Sequence, residues 1–407
     1  VSLWRRAIAG AVWAGLLVTG RVVAQVRTAP VDEGEAITVT VLTMGQGEEV
    51  WERFGHNALR VQDRLHGTDV AYNWGMFSFE QENFFLNFAR GRMLYWMKGI
   101  DGPWTIQSYA EGGRSVTAQE LALTSAEKVA LRNALQDTDT DANRFYLYDY
   151  YRDNCSTRVR DAVDRAIGGQ LKQYTDTIAT RHTWRSLTRE QTISDLPVYL
   201  GLQALLGRPV DRPLTAWEAM FLPFRLHDWL ARASRRLPDG QAVPLVVRTD
   251  TLARQRLVVG GRDHVPGGML GLWGLGVAGA IIMVGSLAWL PTLSRALASA
   301  WALFAGLGGV LLVGLWTLTN HAVAASNENV LVLSVAALPL AFLVWQRRAG
   351  GLAGQICGVV VALSAALAGV LVFSPLHQRN AEILALAVPL DLALALVVRS
   401  FAQAERG

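Results

Sequence analysis

Cysteine is nearly missing from this chain. Of its 407 residues only Cys155 and Cys357 carry a thiol, the first in a polar stretch and the second in an apolar one. A disulfide joining two such different settings would need unfavourable geometry, so a disulfide scaffold is excluded. A free cysteine in a polar setting points to chemistry, with a small buried residue as the plain alternative. Basic clusters interleaved with aromatics are absent and the net charge is only +4, so nucleic acid is a poor partner. His182, Asp211 and His227 lack metal-ligand spacing such as paired histidines one helical turn apart, and no metal or other cofactor is expected. Internal repeats are absent as well, as are long low-complexity runs outside the apolar stretches.

Charge is missing over long stretches. No Asp, Glu, Lys or Arg occurs between Asp263 and Arg295, between Arg295 and Glu328, between Glu328 and Arg347, or between Arg348 and Arg379. A last run from Glu382 to Arg399 contains only Asp391. These runs predict five transmembrane helices over residues 263–407. Asp391 would be costly against lipid and is expected to face the bundle. At the other end, Arg5 and Arg6 precede an apolar stretch at 7–18 and the small or apolar residues Val22-Val23-Ala24. Residues 1–24 therefore read as an export signal or an uncleaved anchor, and either places the next domain outside the cytoplasm.

Residues 25–262 alternate strand and helix signals and predict an α+β domain, a small mainly antiparallel sheet with helices packed on it. Strands are expected at 36–42, 58–61, 69–74, 93–97 and 115–123. Phe84, Phe85 and Phe88 have helical spacing within 80–89, and Thr124-Ser125-Ala126-Glu127 has the spacing of a capping box ahead of a helix over 128–135. Residues 171–237 read as mainly helical, broken by Pro197, Pro209, Pro213 and Pro223.

Within this domain, His56 opens an apolar strand and Cys155 follows Asp153 and Asn154, two good N-cap types, at the start of a helix over 156–167. Unpaired backbone N–H groups in a first helical turn lower a thiol's pKa and can bind an oxyanion, and a histidine can supply the base. If 58–61 pairs antiparallel with 69–74, His56 falls beside Trp74 and its neighbour Asn73, give or take a residue. Asn73 could then orient the imidazole, with Glu52 and Asp69 as competitors for that role. Tyr146, Tyr148, Tyr150 and Tyr151 are expected in core and rim packing.

The order of a histidine on an early strand, a polar group on the next, then Asn-Cys at a helix start resembles the permuted papain-like enzymes that include lecithin:retinol acyltransferase. More specifically, Trp51-Glu52-Arg53-Phe54-Gly55-His56-Asn57-Ala58-Leu59-Arg60, Tyr72-Asn73-Trp74-Gly75-Met76-Phe77, Asp153-Asn154-Cys155, Phe221-Leu222-Pro223 and Asn327-Glu328-Asn329-Val330-Leu331 are similar to the bacterial Lnb family. That resemblance implies a permuted papain-like periplasmic domain on a membrane bundle in the inner membrane. It also implies lipoprotein N-acylation: a fatty acyl chain moves from a phospholipid to the N-terminal amine of a diacylglyceryl-cysteine lipoprotein. His56 would be the base, Cys155 the nucleophile and Asn73 the orienting group. His321, Asn327, Glu328 and Asn329, in a loop facing the same compartment, are the candidates to bind lipid headgroup or incoming peptide, or are solvated loop residues. A membrane-anchored papain-like hydrolase, cutting peptidoglycan peptides or phospholipid, and a silent receptor or scaffold are the alternatives.

Topology follows from arginines alone. With the first membrane segment running inward, Arg295, Arg347, Arg348, Arg399 and Arg406 all lie on the cytoplasmic side with Arg5 and Arg6. A reporter fused at Gly350 should therefore be active only as a cytoplasmic reporter, and strong extracytoplasmic activity there would reverse the orientation.

Overall fold

A computed structural model describes residues 32–257, 266–287, 291–346 and 351–404. The signal reading of residues 1–24 and the arginines Arg347, Arg348 and Arg406 lie outside these.

The expected α+β domain forms around one antiparallel sheet. Its strands are β1 (Ile37–Met44), β2 (His56–Asp63), β3 (Thr68–Met76), β4 (Leu94–Asp101), β5 (Val116–Leu121), β6 (Phe145–Leu147) and β7 (Val246–Ala253), arranged β7-β5-β1-β2-β3-β4-β6. Side chains alternate across it, as a pleated strand requires. Val39, Val41, Leu59, Val61 and Tyr72 face one side. There they meet the helices α3 (Ser125–Thr138) and α4 (Cys155–Ala166), the latter through Val159 and Val163, both fully enclosed. Burying such a valine contributes about 1.5–3 kcal/mol, which fixes the axis of α4 under the sheet. Leu42, Ala58, Ala71 and Val116 face the other side and meet Ile106 and Tyr109 of α2 (Gly102–Glu111). The short helix α1 (Phe84–Ala89) joins β3 to β4, and the capping box at Thr124 and Glu127 forms as expected.

From Trp184 onward two of the prolines expected to break helices, Pro197 and Pro223, start them, while Pro209 lies in the 3-10 turn Arg208–Asp211 and Pro213 begins the short strand Pro213–Thr215. Helices α5 (Trp184–Thr192), α6 (Leu196–Leu205) and α7 (Pro223–Arg232) follow, with Pro197 and Pro223 in the first turns of the last two. A first-turn N–H has no helical partner, so proline costs nothing there. Strand β7 had no sequence signal: it is a largely exposed edge strand, without the alternation that marks a half-buried one.

Four helices among the described residues are long and apolar enough to cross a membrane, where five were expected: α8 (Gly267–Ser286), α9 (Pro291–Leu318), α10 (Leu352–Leu371) and α11 (Ala381–Ala404). The missing one corresponds to residues 328–346, which form the 3-10 turns Glu328–Leu331 and Val335–Ala337 and one short helical turn, Leu340–Leu343. The cause lies in Ser334, whose side chain accepts the N–H of Ala336 and restarts the chain, and in Pro339, which lacks a donor. Irregular backbone at membrane depth must be covered by protein. Val332, Ala337, Leu340 and Val344 are indeed buried, and the segment descends along α9 from Gly309 to Ser299, a length of about 15 Å. Asp391 faces the bundle interior, where the indole of Trp301 donates to it at 2.9 Å.

The close approach rests on glycine. A Cβ at Gly309 would lie 2.3 Å from the carbonyl oxygen of Leu333, whereas one at Gly314 would meet nothing. Gly309→Val should therefore destabilise the protein by about 1–3 kcal/mol, and Gly314→Val by little. Thermal unfolding of both variants in detergent checks the difference.

Candidate active site

His56 is the first residue of β2, and Gly75 and Met76 end β3 at the same edge of the sheet because the two strands are antiparallel. The observed register pairs Ala58 with Asn73, one residue from the expected alignment. His56 and Ala58 share a face two residues apart, so His56 and Asn73 are diagonal neighbours within reach of each other. Their side chains meet, with His56 Nε2 3.1 Å from Asn73 Oδ1.

The amide of Asn73 sets the imidazole tautomer. Its Nδ2 donates to the carbonyl of Ala71 at 2.9 Å, so its Oδ1 is the atom that accepts from histidine. His56 then carries its proton on Nε2 and keeps Nδ1 free as a base. The competing acids are engaged elsewhere: Glu52 pairs with Arg114 at 2.8 Å, and Asp69 is held by Arg60 and Gln62.

Cys155 is the first residue of α4. Asn154 caps the helix, its side chain accepting the N–H of Thr157 while Thr157 Oγ1 accepts the N–H of Asn154. Asn154 also donates to the carbonyls of Tyr150 and Phe221, which ties the helix start to the Phe221-Leu222-Pro223 turn. The N–H groups of Asn57, Ser156 and Cys155 itself act on the sulfur, so the thiol lies against the peptide that follows His56. On the other side a Cβ at Gly75 would be 3.7 Å from Cys155 Cβ and 3.9 Å from the ring of Tyr148. Gly75 has a φ of +89°, a conformation open to glycine and strained for other residues.

The electrostatics differ from the expected low-pKa thiol. Burial raises the Cys155 pKa above its ordinary value despite the three N–H groups and the Arg114 charge, which act in the opposite sense. Burial likewise lowers His56 to about 4, with Arg114 adding to that and the Asn73 bond opposing it. Burial thus favours the neutral form of each group. Two contributors had no motif to reveal them: Tyr109 stacks on the His56 ring with centroids 6.0 Å apart, and the Arg114 guanidinium lies 4.5 Å over Tyr109. A cleft of about 330 Å³, lined in part by Asn73, Met76, Ile100, Trp104, Tyr109 and Arg114, opens beside them. A larger apolar depression of about 470 Å³ between residues 122–124 and 243–247 has no titratable group in its wall.

The four loop residues divide. His321 stacks on Tyr150 with centroids 6.2 Å apart and lies 2.9 Å from the carbonyl of Phe88. Asn327 and Asn329 are buried, and their amides donate to carbonyls of residues 203–205, while Glu328 accepts the N–H of Gln378. The amides of Asn327 and Asn329 thus tie the bundle to the soluble domain, the Glu328 carboxylate bonds within the membrane half, and none of the three lines the cleft beside His56. Among the described residues Glu33, Asp63 and His66 could gather round an ion, but Arg132 occupies the cluster at 2.6 Å from Glu33 and 2.8 Å from Asp63.

The pH dependence follows with a definite sign. A base must be neutral to act, so lowering His56 from about 6.5 to about 4 extends its active form to more acid pH. Any thiol-dependent kcat/KM should be flat from about pH 5 to 8, with its acid limb near the lowered value. A bell centred between pH 6 and 7 would show a resting ion pair in its place.

No curated protein and no solved structure matches this chain. The sheet, the His56–Asn73 pair and the start of α4 all fall inside a segment that does find a relative. Residues 31–190 match the family model of the Lnb N-terminal periplasmic domain.

Proposed function

We propose that this membrane protein is a cysteine acyltransferase of the inner membrane, its soluble domain facing the periplasm. It moves a fatty acyl chain from a phospholipid, through a thioester on Cys155, to the N-terminal amine of a diacylglyceryl-cysteine lipoprotein. The observation that carries this reading is the hydrogen-bonded His56–Asn73 pair at the sheet edge against which the helix bearing Cys155 begins. The match of residues 31–190 to the Lnb family model and four helices of membrane-spanning length among the described residues support it.

From neutral partners the first step is a coupled one. Cys155 Sγ attacks the ester carbonyl while its proton passes to His56 Nδ1, and the backbone N–H groups around the sulfur stand ready for the oxyanion. Collapse breaks the ester C–O bond, and the leaving alcohol of the lysophospholipid takes the proton from His56. In the second step the amine attacks the thioester, His56 accepts an amine proton, and the C–S bond breaks. That proton returns to sulfur, leaving an amide and a free thiol. Attack by water at this stage would make a phospholipase.

Incubation of the full-length protein with acyl-labelled phospholipid should give a thioester on Cys155, seen as a hydroxylamine-sensitive mass increase. Cys155→Ala, Cys155→Ser and His56→Ala should each lower lipoprotein N-acylation on the order of 10³-fold or more. Asn73→Ala should cost less than the roughly 10²-fold that removal of an acid–base partner costs at minimum. Wild-type N-acylation by Cys155→Ala would overturn the mechanism. Turnover of a cell-wall peptide with no thioester from phospholipid would favour the hydrolase reading.

A further inference from the structure

An aromatic ridge stands out from the domain at the sheet edge where β3 ends. Phe79 lies 5.3 Å from Phe77 and 5.1 Å from Phe84, and Phe84 lies 5.4 Å from Phe85 and 6.2 Å from Phe88, all between ring centroids. Trp51 joins it at 5.9 Å from Phe79. None of the six residues of α1 is buried, and Phe85 is 73% exposed, with Trp51, Phe79, Leu86 and Phe88 also open. A contiguous apolar surface of this kind marks a binding face.

Its position says what covers it. The N–H of Asn320 donates to the carbonyl of Arg90 at 2.9 Å, and His321 reaches the carbonyl of Phe88 at the same distance. Gly91 makes the approach possible, since a Cβ there would lie 3.0 Å from the backbone of both residues. Asn320 is two residues beyond Leu318, the last residue of α9, which is 81% exposed on a helix apolar enough to cross a membrane. Two residues correspond to about 3 Å of helix rise, so the ridge is pinned at the level where α9 leaves the bilayer. Aromatic rings collect at that level, and the exposed Arg90 and Arg92 just beyond α1 suit phospholipid phosphates. On its inner side Phe77 stacks on Tyr95 at 5.1 Å, and Tyr95 meets Tyr148 at 4.5 Å, the ring beside Cys155 at Gly75.

We propose that the ridge of Trp51, Phe79, Phe85, Leu86 and Phe88 is inserted into the acyl-chain zone of the bilayer that holds this protein's own helices, with its inner end opening toward Cys155. The insertion goes beyond the acyltransferase reading and does not depend on it.

A nitroxide label reads depth without reference to turnover. In the full-length Cys155→Ala, Cys357→Ala protein reconstituted into phosphatidylethanolamine and phosphatidylglycerol nanodiscs, Phe85→Cys is labelled, and Leu65→Cys serves as control. Leu65 is 51% exposed but sits in the β2–β3 turn, at the opposite end of the hairpin, about 23 Å away along the strand. The label at position 85 should collide several-fold more with oxygen than with a water-soluble nickel chelate, relative to the label at 65. Equal, water-like profiles at both positions would overturn the proposal and leave room for a protein partner on the ridge. If Phe85→Cys fails to fold, Leu86→Cys gives the same readout. A lipid-like profile together with no thioester on wild-type Cys155 would sustain the insertion while removing the acyltransferase reading.

Discussion

Arg185 is the side chain on which the arrangement of the two halves depends. It is 0% exposed, donates from Nε to Asp211 at 2.6 Å, and reaches the carbonyls of Leu206 and Gly207 at 2.9 Å each. Asp211 in turn accepts the N–H of Arg379 from the membrane half at 3.1 Å. The end of α6, whose carbonyls face this cation, offers its neighbouring carbonyls to Asn327 and Asn329. Glu382 at the start of α11 completes the junction, paired with Arg189 at 2.5 Å and accepting from Tyr199 at 2.7 Å. Removing one partner from such a buried set strands the others, at a cost of about 3–5 kcal/mol, and that holds the domain to the bundle as one body. Gly207 belongs to the same constraint, because a Cβ there would sit 2.0 Å from the carbonyl oxygen of Ala325.

The candidate site sits at the far end of a chain of consequences from that clamp. The sheet edge that presents His56 and Gly75 also carries α1, and α1 is tied to the outer end of α9. The thiol is therefore fixed in height above the bundle by bonds at two separate places. Burial there disfavours the charged forms of both the thiol and the imidazole. Asn73 meanwhile holds the imidazole in one tautomer by a bond that needs no charge.

Much of this was legible in the sequence, for local reasons. The hairpin register came within one residue because each face of the strand pair packs its own set of side chains, and a slip would turn every one of them over. Asn154 announced the start of α4 through its capping chemistry, and Glu127 did so for α3. What failed was information carried by distant contacts. Residues 328–346 have the hydropathy of a spanning helix, yet hydropathy measures composition and not continuity, and Ser334 and Pro339 divide the run. Asn327 and Asn329 looked like open loop residues because their partners lie more than 120 positions earlier. Tyr109 and Arg114 reach the imidazole only through the packing of α2 on the sheet, which no spacing encodes.

The broken segment and the clamp bear on each other. A continuous helix at 328–346 would satisfy its own backbone and would need no neighbour. The irregular one begins where Asn327 and Asn329 give their amides to the carbonyls at the end of α6, and Asn329 Oδ1 accepts from Asn380 at 2.7 Å. Its first turn is thus held by residues on both sides of the domain boundary. Below that, Gly306 and Gly309 let its backbone lie directly on α9, the same helix whose outer end meets α1. One set of contacts therefore fixes the depth of α9, the position of the soluble domain and the height of the aromatic ridge, and the bundle is joined to the site mechanically as well as by sequence.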